Sequence, residues 1–178
     1  MAQPATASAA SARQAPRRSE SRRPAPLHLV ADLSRRRLLV VVGRDTFARY
    51  AIAIGLPDHP TPTGRFRIAK LVWNPAWVPP AEQREAGKAE QPAGARANPM
   101  RLVKIFFQEP DYYIHGTNDP ASIGDAESHG CLRMEPMDAY RLGRTLMRHG
   151  GTTRSPAWFR RVLRVRTATE TVRLRRPI

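Results

Sequence analysis

Cysteine is nearly missing from this chain: its 178 residues contain one, Cys131. A single thiol closes no intramolecular disulfide, so redox compartment cannot be read from disulfide usage, and the residue is either inert or chemically employed. Long hydrophobic runs are also absent. "LLVVV" at 38–42 is strand length, well short of the roughly 18 residues of a membrane span, so no transmembrane segment is expected. Acidic residues are scarce, 15 Asp and Glu against 30 Lys and Arg, for a formal charge of +15. Aromatic residues are 7% of the chain and do not interleave with the basic ones, so nucleic acid is not the expected partner.

The length allows one domain of usual size with some tail, and a hydrophobic core without disulfide staples. Residues 1–26, "MAQPATASAASARQAPRRSESRRPAP", lack the apolar stretch of an intact signal peptide and read as an Ala, Ser, Pro and Arg-rich disordered segment. Two expectations follow. Either a leader lies outside this chain and the protein works beyond the cytoplasm, or the protein is cytoplasmic. Between Arg141 and Ile178 there are eleven Arg against one acidic residue, Glu170. That excess suits an anionic partner, whether nucleic acid, acidic membrane or acidic cell-wall polymer; the bland alternative is Arg-rich genome composition on a solvated face.

From Leu27 the pattern is one of short strands. "LHLVADL" and "RLLVVV" flank "SRR" as a hairpin, "ARYAIAIG" is a third strand, and a fourth runs from about Arg65 to Trp73. "NPAWVPPAEQREAGKAEQPAGARANPM" (74–100) is a long loop of the kind that is functional or disordered. "RLVKIFF" and "YYIHG" resume strand patterning around the turn "QEPD". After the cysteine, a helix is predicted with Pro136 at its first position, Met137, Tyr140, Leu142 and Met147 as its apolar side, and Gly150 at its end. "SPAWFRRVLR" reads as a second short helix and "ETVRLRRPI" as a last strand. The class is mainly β with one or two helices after Cys131. Residues 27–150 form one domain, and 151–178 a basic extension packed on it or trailing it.

The chemistry concentrates in "SHGCLRM" (128–134). A thiol of ordinary pKa is only a few per cent thiolate at neutral pH. Ionising half of it takes about 1.5 pKa units, or roughly 2 kcal/mol. His129, Arg133 and the start of the following helix are candidate stabilisers, and Gly130 permits a close backbone approach. The base need not be the nearest histidine. His129 sits two positions from Cys131, about 6–7 Å along extended chain, where side-chain contact is not assured. His115 closes the strand "YYIH" sixteen positions upstream. If that strand lies beside the cysteine segment, cross-strand separations near 5 Å bring imidazole and thiol together. His115 is therefore the better base, and His129 the better supporting or oxyanion-side residue. Three alternatives stand beside this: an inert buried cysteine with satisfied histidines, a zinc site at His115, His129 and Cys131 that lacks a fourth ligand at familiar spacing, and Ser128 as a weaker nucleophile.

"PTPTGRFRI" (60–68), "WNPAWVPP" (73–80), "ANPM" (97–100), "YYIHGTNDPASIGDAESHGCLRM" (112–134) and "DAYRL" occur in that order. Together they resemble the catalytic domain of the YkuD-type L,D-transpeptidases, bacterial cell-wall enzymes, over about residues 27–150. The resemblance implies a β-sandwich-like fold in which Cys131 is the nucleophile, His115 the general base, and the Gly116 carbonyl the group orienting the imidazole. It implies an oxyanion hole at the Gly130 and Cys131 N–H groups, with Ser128, His129 and Arg133 at pocket positions. One departure shows: the family usually has Gly after "NPL/M", where this chain has Arg101.

The implied reaction is two-step acyl transfer. The thiolate attacks the carbonyl of the third residue of a tetrapeptide peptidoglycan stem and expels D-Ala; the amine of a second stem then takes the acyl group, giving a 3→3 cross-link. Water as acceptor would make the enzyme an L,D-carboxypeptidase, and a protein lysine would make it a protein-to-peptidoglycan anchoring enzyme. No metal or organic cofactor is implied. Carbapenem-type β-lactams are expected to acylate the same thiol, and the basic surface to favour association with the anionic wall. The rival from another class is a basic polyanion-binding module without catalysis, which predicts salt-sensitive retention and indifference to loss of Cys131.

Overall fold

The computed structural model describes residues 25–178; of the expected N-terminal linker, residues 1–24 lie outside the described residues. The first half of the chain forms β1 (Leu27–Asp32), β2 (Arg37–Val42), β3 (Asp45–Ala51), β4 (Ile54–Gly55), β5 (Lys70–Trp73) and a short helix α1 (Ala81–Glu85). The second half forms β6 (Arg101–Gln108), β7 (Tyr112–Gly116), β8 (Ala126–Ser128), β9 (Leu132–Met134), α2 (Pro136–His149), α3 (Pro156–Arg164) and β10 (Glu170–Arg173). The class is mainly β, as the strand patterning predicts.

β1, β2 and β3 make an antiparallel meander. Its first turn is built by Asp32, whose carboxylate accepts from Ser34 Oγ at 2.7 Å and Arg35 N at 3.0 Å, the local bonding that favours Asp at turns. The larger sheet runs β10-β5-β6-β7-β9, with β7 and β9 parallel and the other pairs antiparallel. Alternation along these strands gives it two unlike faces. Leu71, Ile105, Ile114 and Leu132 stand in register on one face and are all buried. Lys104, His115 and Arg133 stand in register on the other.

The apolar face is covered by α2, which buries Ala139, Tyr140, Leu142, Gly143, Leu146 and Met147. Gly143 lets the helix approach: a Cβ there would stand 3.1 Å from the Trp73 ring. Trp73 is fully buried and meets Tyr140, Trp158 and Phe159 edge-on at centroid distances of 5.6–5.8 Å. Phe159, Val162, Val172 and Leu174 belong to the same core cluster, so the segment after residue 150 helps to close this core. Asn74, at φ 46°, ties that segment down. Its side-chain amide donates to Val162 O at 2.9 Å, Val165 O at 3.0 Å and Ala168 O at 3.3 Å.

Four elements differ from the sequence reading. The strand expected from Arg65 pairs in the large sheet only from Lys70, because Ile68 exchanges backbone bonds of 2.7 and 3.0 Å with Ile178 instead. The expected strand "ARYAIAIG" breaks at Ile52, where the chain leaves the meander and Ala53 bridges Arg133 by bonds of 2.8 and 3.0 Å. Met137 lies off the buried side of α2, 43% exposed, since at 100° per residue it falls opposite the stripe of Ala139, Gly143 and Leu146. The long loop contains α1 and an isolated bridge between Trp77 and Gln91. No helix among the described residues is long and apolar enough to cross a membrane.

Candidate active site

His115 sits on the polar face of β7, opposite Lys104 on β6 and Arg133 on β9. It is 2% exposed, and its Nδ1 lies 2.9 Å from Gly116 O. A carbonyl oxygen can only accept, so Nδ1 carries the proton and Nε2 keeps its lone pair. The tautomer suited to a base is thus set by backbone alone. Cys131 immediately precedes β9, and Tyr113 lies two residues before His115 on the same strand, so the parallel pairing aligns Tyr113 and Cys131 beside the His115–Arg133 pair. The strand adjacency expected from sequence is what the fold builds.

The thiol is half-buried and donates to Asp111 O at 3.4 Å. Burial pushes the Cys131 thiol up to about 11, against the opposing pull of Tyr113, Lys104 and Arg133. Burial likewise holds His115 down to about 3, although its bond to Gly116 favours the charged form. The candidate thiolate stabilisers are His129, Arg133 and the start of α2. Arg133 does act in that sense, but desolvation outweighs it, and β9 separates the cysteine from α2. Both shifts favour a neutral thiol and a neutral imidazole.

The other predicted residues divide by location. Ser128, buried, donates to Cys131 O at 2.5 Å and accepts from Gly130 N at 3.1 Å, clamping the turn that presents the thiol. The Gly130 N–H expected in the oxyanion hole is thus engaged by Ser128. Gly130 takes φ 95°, and a Cβ there would stand 2.6 Å from the Tyr112 ring, so this position requires glycine. Gly116 packs as closely, its virtual Cβ 2.6 Å from Arg101 O. Arg101 itself reaches back to the loop, donating to Ala95 O at 3.2 Å and Arg96 O at 2.6 Å. His129 stands apart from His115: it stacks on His59 at 4.6 Å, and Gln83 Nε2 lies 3.2–3.3 Å from its ring nitrogens. Burial and the adjacent His59 hold it below the usual histidine range. Metal-type donors come together among the described residues at His59, Glu82 and His129, not at His115, His129 and Cys131.

His115, Ser128, His129, Cys131 and Arg133 line one cleft of about 1050 Å³ between the sheet's polar face and the 74–100 loop, which supplies Trp77, Val78 and α1. Sequence reading missed Lys104, Tyr113, Gln83 and His59. Two of these carried a signal: Lys104 is a lone charge within the apolar strand "RLVKIFF", and Tyr113 shares a face with His115 by the two-residue strand period. Lys104 Nζ stands 4.6 Å over the Tyr113 ring. Burial, with the adjacent Cys131 next, raises the Tyr113 pKa. Gln83 and His59 reach the site through loops, and no local pattern marks them.

A buried, backbone-held imidazole beside a lone thiol at the floor of a cleft defines a cysteine–histidine site. The chain belongs to the YkuD family, defined by the L,D-transpeptidase catalytic domain, whose family model matches residues 26–154. It is 30% identical to YkuD of Bacillus subtilis (strain 168) over 117 residues, 66% of this chain and 58% of the relative. It is 36% identical to YbiS of Escherichia coli (strain K12) over 104 residues, 54% of this chain and 33% of that one. The match thus spans little more than half of the first relative and a third of the second. Among solved structures, an L,D-transpeptidase from Mycobacterium smegmatis shares the fold at TM-score 0.52 and 23% identity, covering 66% of this chain and 52% of that one.

Proposed function

We propose that this chain is a peptidoglycan L,D-transpeptidase working by a Cys131 acyl-enzyme. The observation that carries the reading is His115, buried on the strand beside the cysteine with its tautomer set by Gly116 O. As substrate enters, His115 Nε2 takes the thiol proton and Sγ attacks the carbonyl of the third stem residue. Negative charge on sulfur, then on the carbonyl oxygen, faces Lys104, Arg133, the Tyr113 hydroxyl and the Cys131 N–H, with Gly130 N–H available once it exchanges Ser128 for the oxyanion. The imidazolium returns its proton to the departing D-Ala amine as the C–N bond breaks. A second stem's amine then attacks the thioester, giving up a proton to His115 as sulfur leaves. Water in that step would release a tripeptide, and a protein lysine would become anchored. On this reading the enzyme works outside the cytoplasm, and β-lactams of the carbapenem type would acylate the same thiol.

The test is mass spectrometry of products from disaccharide tetrapeptide. The wild-type chain should release D-Ala and form a cross-linked dimer, whereas Cys131→Ala should do neither while keeping its circular dichroism spectrum. His115→Ala should lower turnover by about 10²-fold or more, the usual worth of a general acid–base, and His129→Ala far less. Turnover by Cys131→Ala, or a larger loss at His129 than at His115, would falsify the assignment of roles.

A further inference from the structure

Another group of side chains with metal-ligand chemistry lies on the wall of the same cleft and takes no part in the acyl transfer just described. His59, on the loop after β4, Glu82, in the first turn of α1, and His129 bring their ligand atoms within 4.8 Å of one another. His59 Nε2 and Glu82 Oε2 are 3.5 Å apart. Two ligands each about 2.0 Å from one tetrahedral ion are separated by roughly 3.3 Å, so this pair already has the required spacing. The histidine rings stand 4.6 Å apart at 28°, and one nitrogen of each lies within 4.8 Å of the other and of a Glu82 carboxylate oxygen. Gln83, one residue after Glu82, has its side-chain amide 3.2–3.3 Å from the His129 ring nitrogens; with the amide turned so that Oε1 faces the ring, it would accept from the N–H of the nitrogen that does not ligate. Asp58, 4.0 Å from His59 Nε2, adds a second carboxylate at the rim, while Lys88 and Arg133 bring opposing charge near His129.

We infer that His59, Glu82 and His129 form a binding site for one first-row divalent ion of the zinc class at the rim of the catalytic cleft. Two imidazoles and one carboxylate suit such an ion better than magnesium or calcium, which prefer all-oxygen shells. Three protein ligands leave a coordination position for water or a carboxylate from the cleft. The site does not depend on the acyl-transfer reading, since neither Cys131 nor His115 belongs to it.

The experiment is calorimetric titration of the full chain with zinc chloride, in a Cys131→Ser background that removes the thiol as a competing ligand. Cobalt(II) follows as a spectroscopic probe, and magnesium as a control. Expected are one zinc ion per chain, visible cobalt bands of a four-coordinate nitrogen–oxygen site, and no magnesium uptake. His59→Ala and Glu82→Gln should each weaken zinc binding by tenfold or more, about 1.4 kcal/mol. Glu82 is 68% exposed and its replacement is isosteric, so Glu82→Gln tests the site without threatening the fold. Absence of saturable zinc binding, or affinity unchanged in both variants, overturns the inference. So does binding that survives only while Cys131 is present.

Discussion

His115 shows at the scale of one side chain how burial and chemistry pull against each other. Its folded pKa of about 3 lies below the ordinary 6.5. A base with a depressed folded pKa binds its proton more readily when unfolded, so its contribution to stability is complete above pH 6.5 and is lost as pH falls toward 3. Urea unfolding should therefore show stability dropping across that window, with a shallower drop in His115→Gln. Identical acid limbs in the two proteins would show that the titration belongs elsewhere. The thiol supplies a second residue-scale prediction. Burial raises Cys131 and lowers His115, and both directions favour the neutral pair over thiolate–imidazolium at neutral pH. Alkylation by iodoacetamide should rise steadily with pH from 6 to 10, and a plateau near pH 7 would contradict the neutral resting pair.

Elements, not residues, decide where the cleft is. The large sheet presents its polar side to the 74–100 loop only because α2, α3 and the Trp73 cluster occupy the apolar side. Asn74 stands at the junction. It begins the loop, takes a left-handed φ that Asn tolerates better than most residues, and bonds the turn between α3 and β10. Asn74→Ala removes those bonds, takes this donor from the Val162 and Ala168 carbonyls while Val165 O keeps Ala168 N, and keeps the backbone strain. A loss of about 3 kcal/mol in chemical denaturation is expected. A change below about 1 kcal/mol would mean that α3 and β10 dock through their apolar side chains alone.

Across the whole molecule, the charge of +15 is the dominant long-range feature. In the C-terminal part, Arg161 is paired with Glu170 and Arg176 donates to His149 O at 3.1 Å, so these two have structural partners. Arg160, Arg164, Arg173 and Arg175 are exposed. Fields from exposed charges reach about 8–10 Å in physiological salt. Changing these four to Gln should weaken binding to purified peptidoglycan sacculi at low salt and flatten its salt dependence, with little effect on turnover of a soluble tetrapeptide. A pull-down run beside the soluble assay checks both; equal retention of the two proteins at low salt would leave the Arg excess as composition.

What the sequence determined was local. The hairpin, "YYIHG" as a strand, and the helix between Pro136 and Gly150 follow from alternation, caps and turn residues, each acting over a few positions. The lone thiol and its family motif pointed to Cys131 and His115 for the same reason: one short segment holds the pattern. What only the tertiary structure decided depends on separation in space. Burial overrode the nearby cations to raise the thiol pKa. Ile178 drew Ile68 away from the predicted strand, and α1 carried Glu82 and Gln83 to His129 across 46 or more positions of chain. Desolvation and long-range pairing are set by which distant segments pack together, and no local residue pattern encodes that distance.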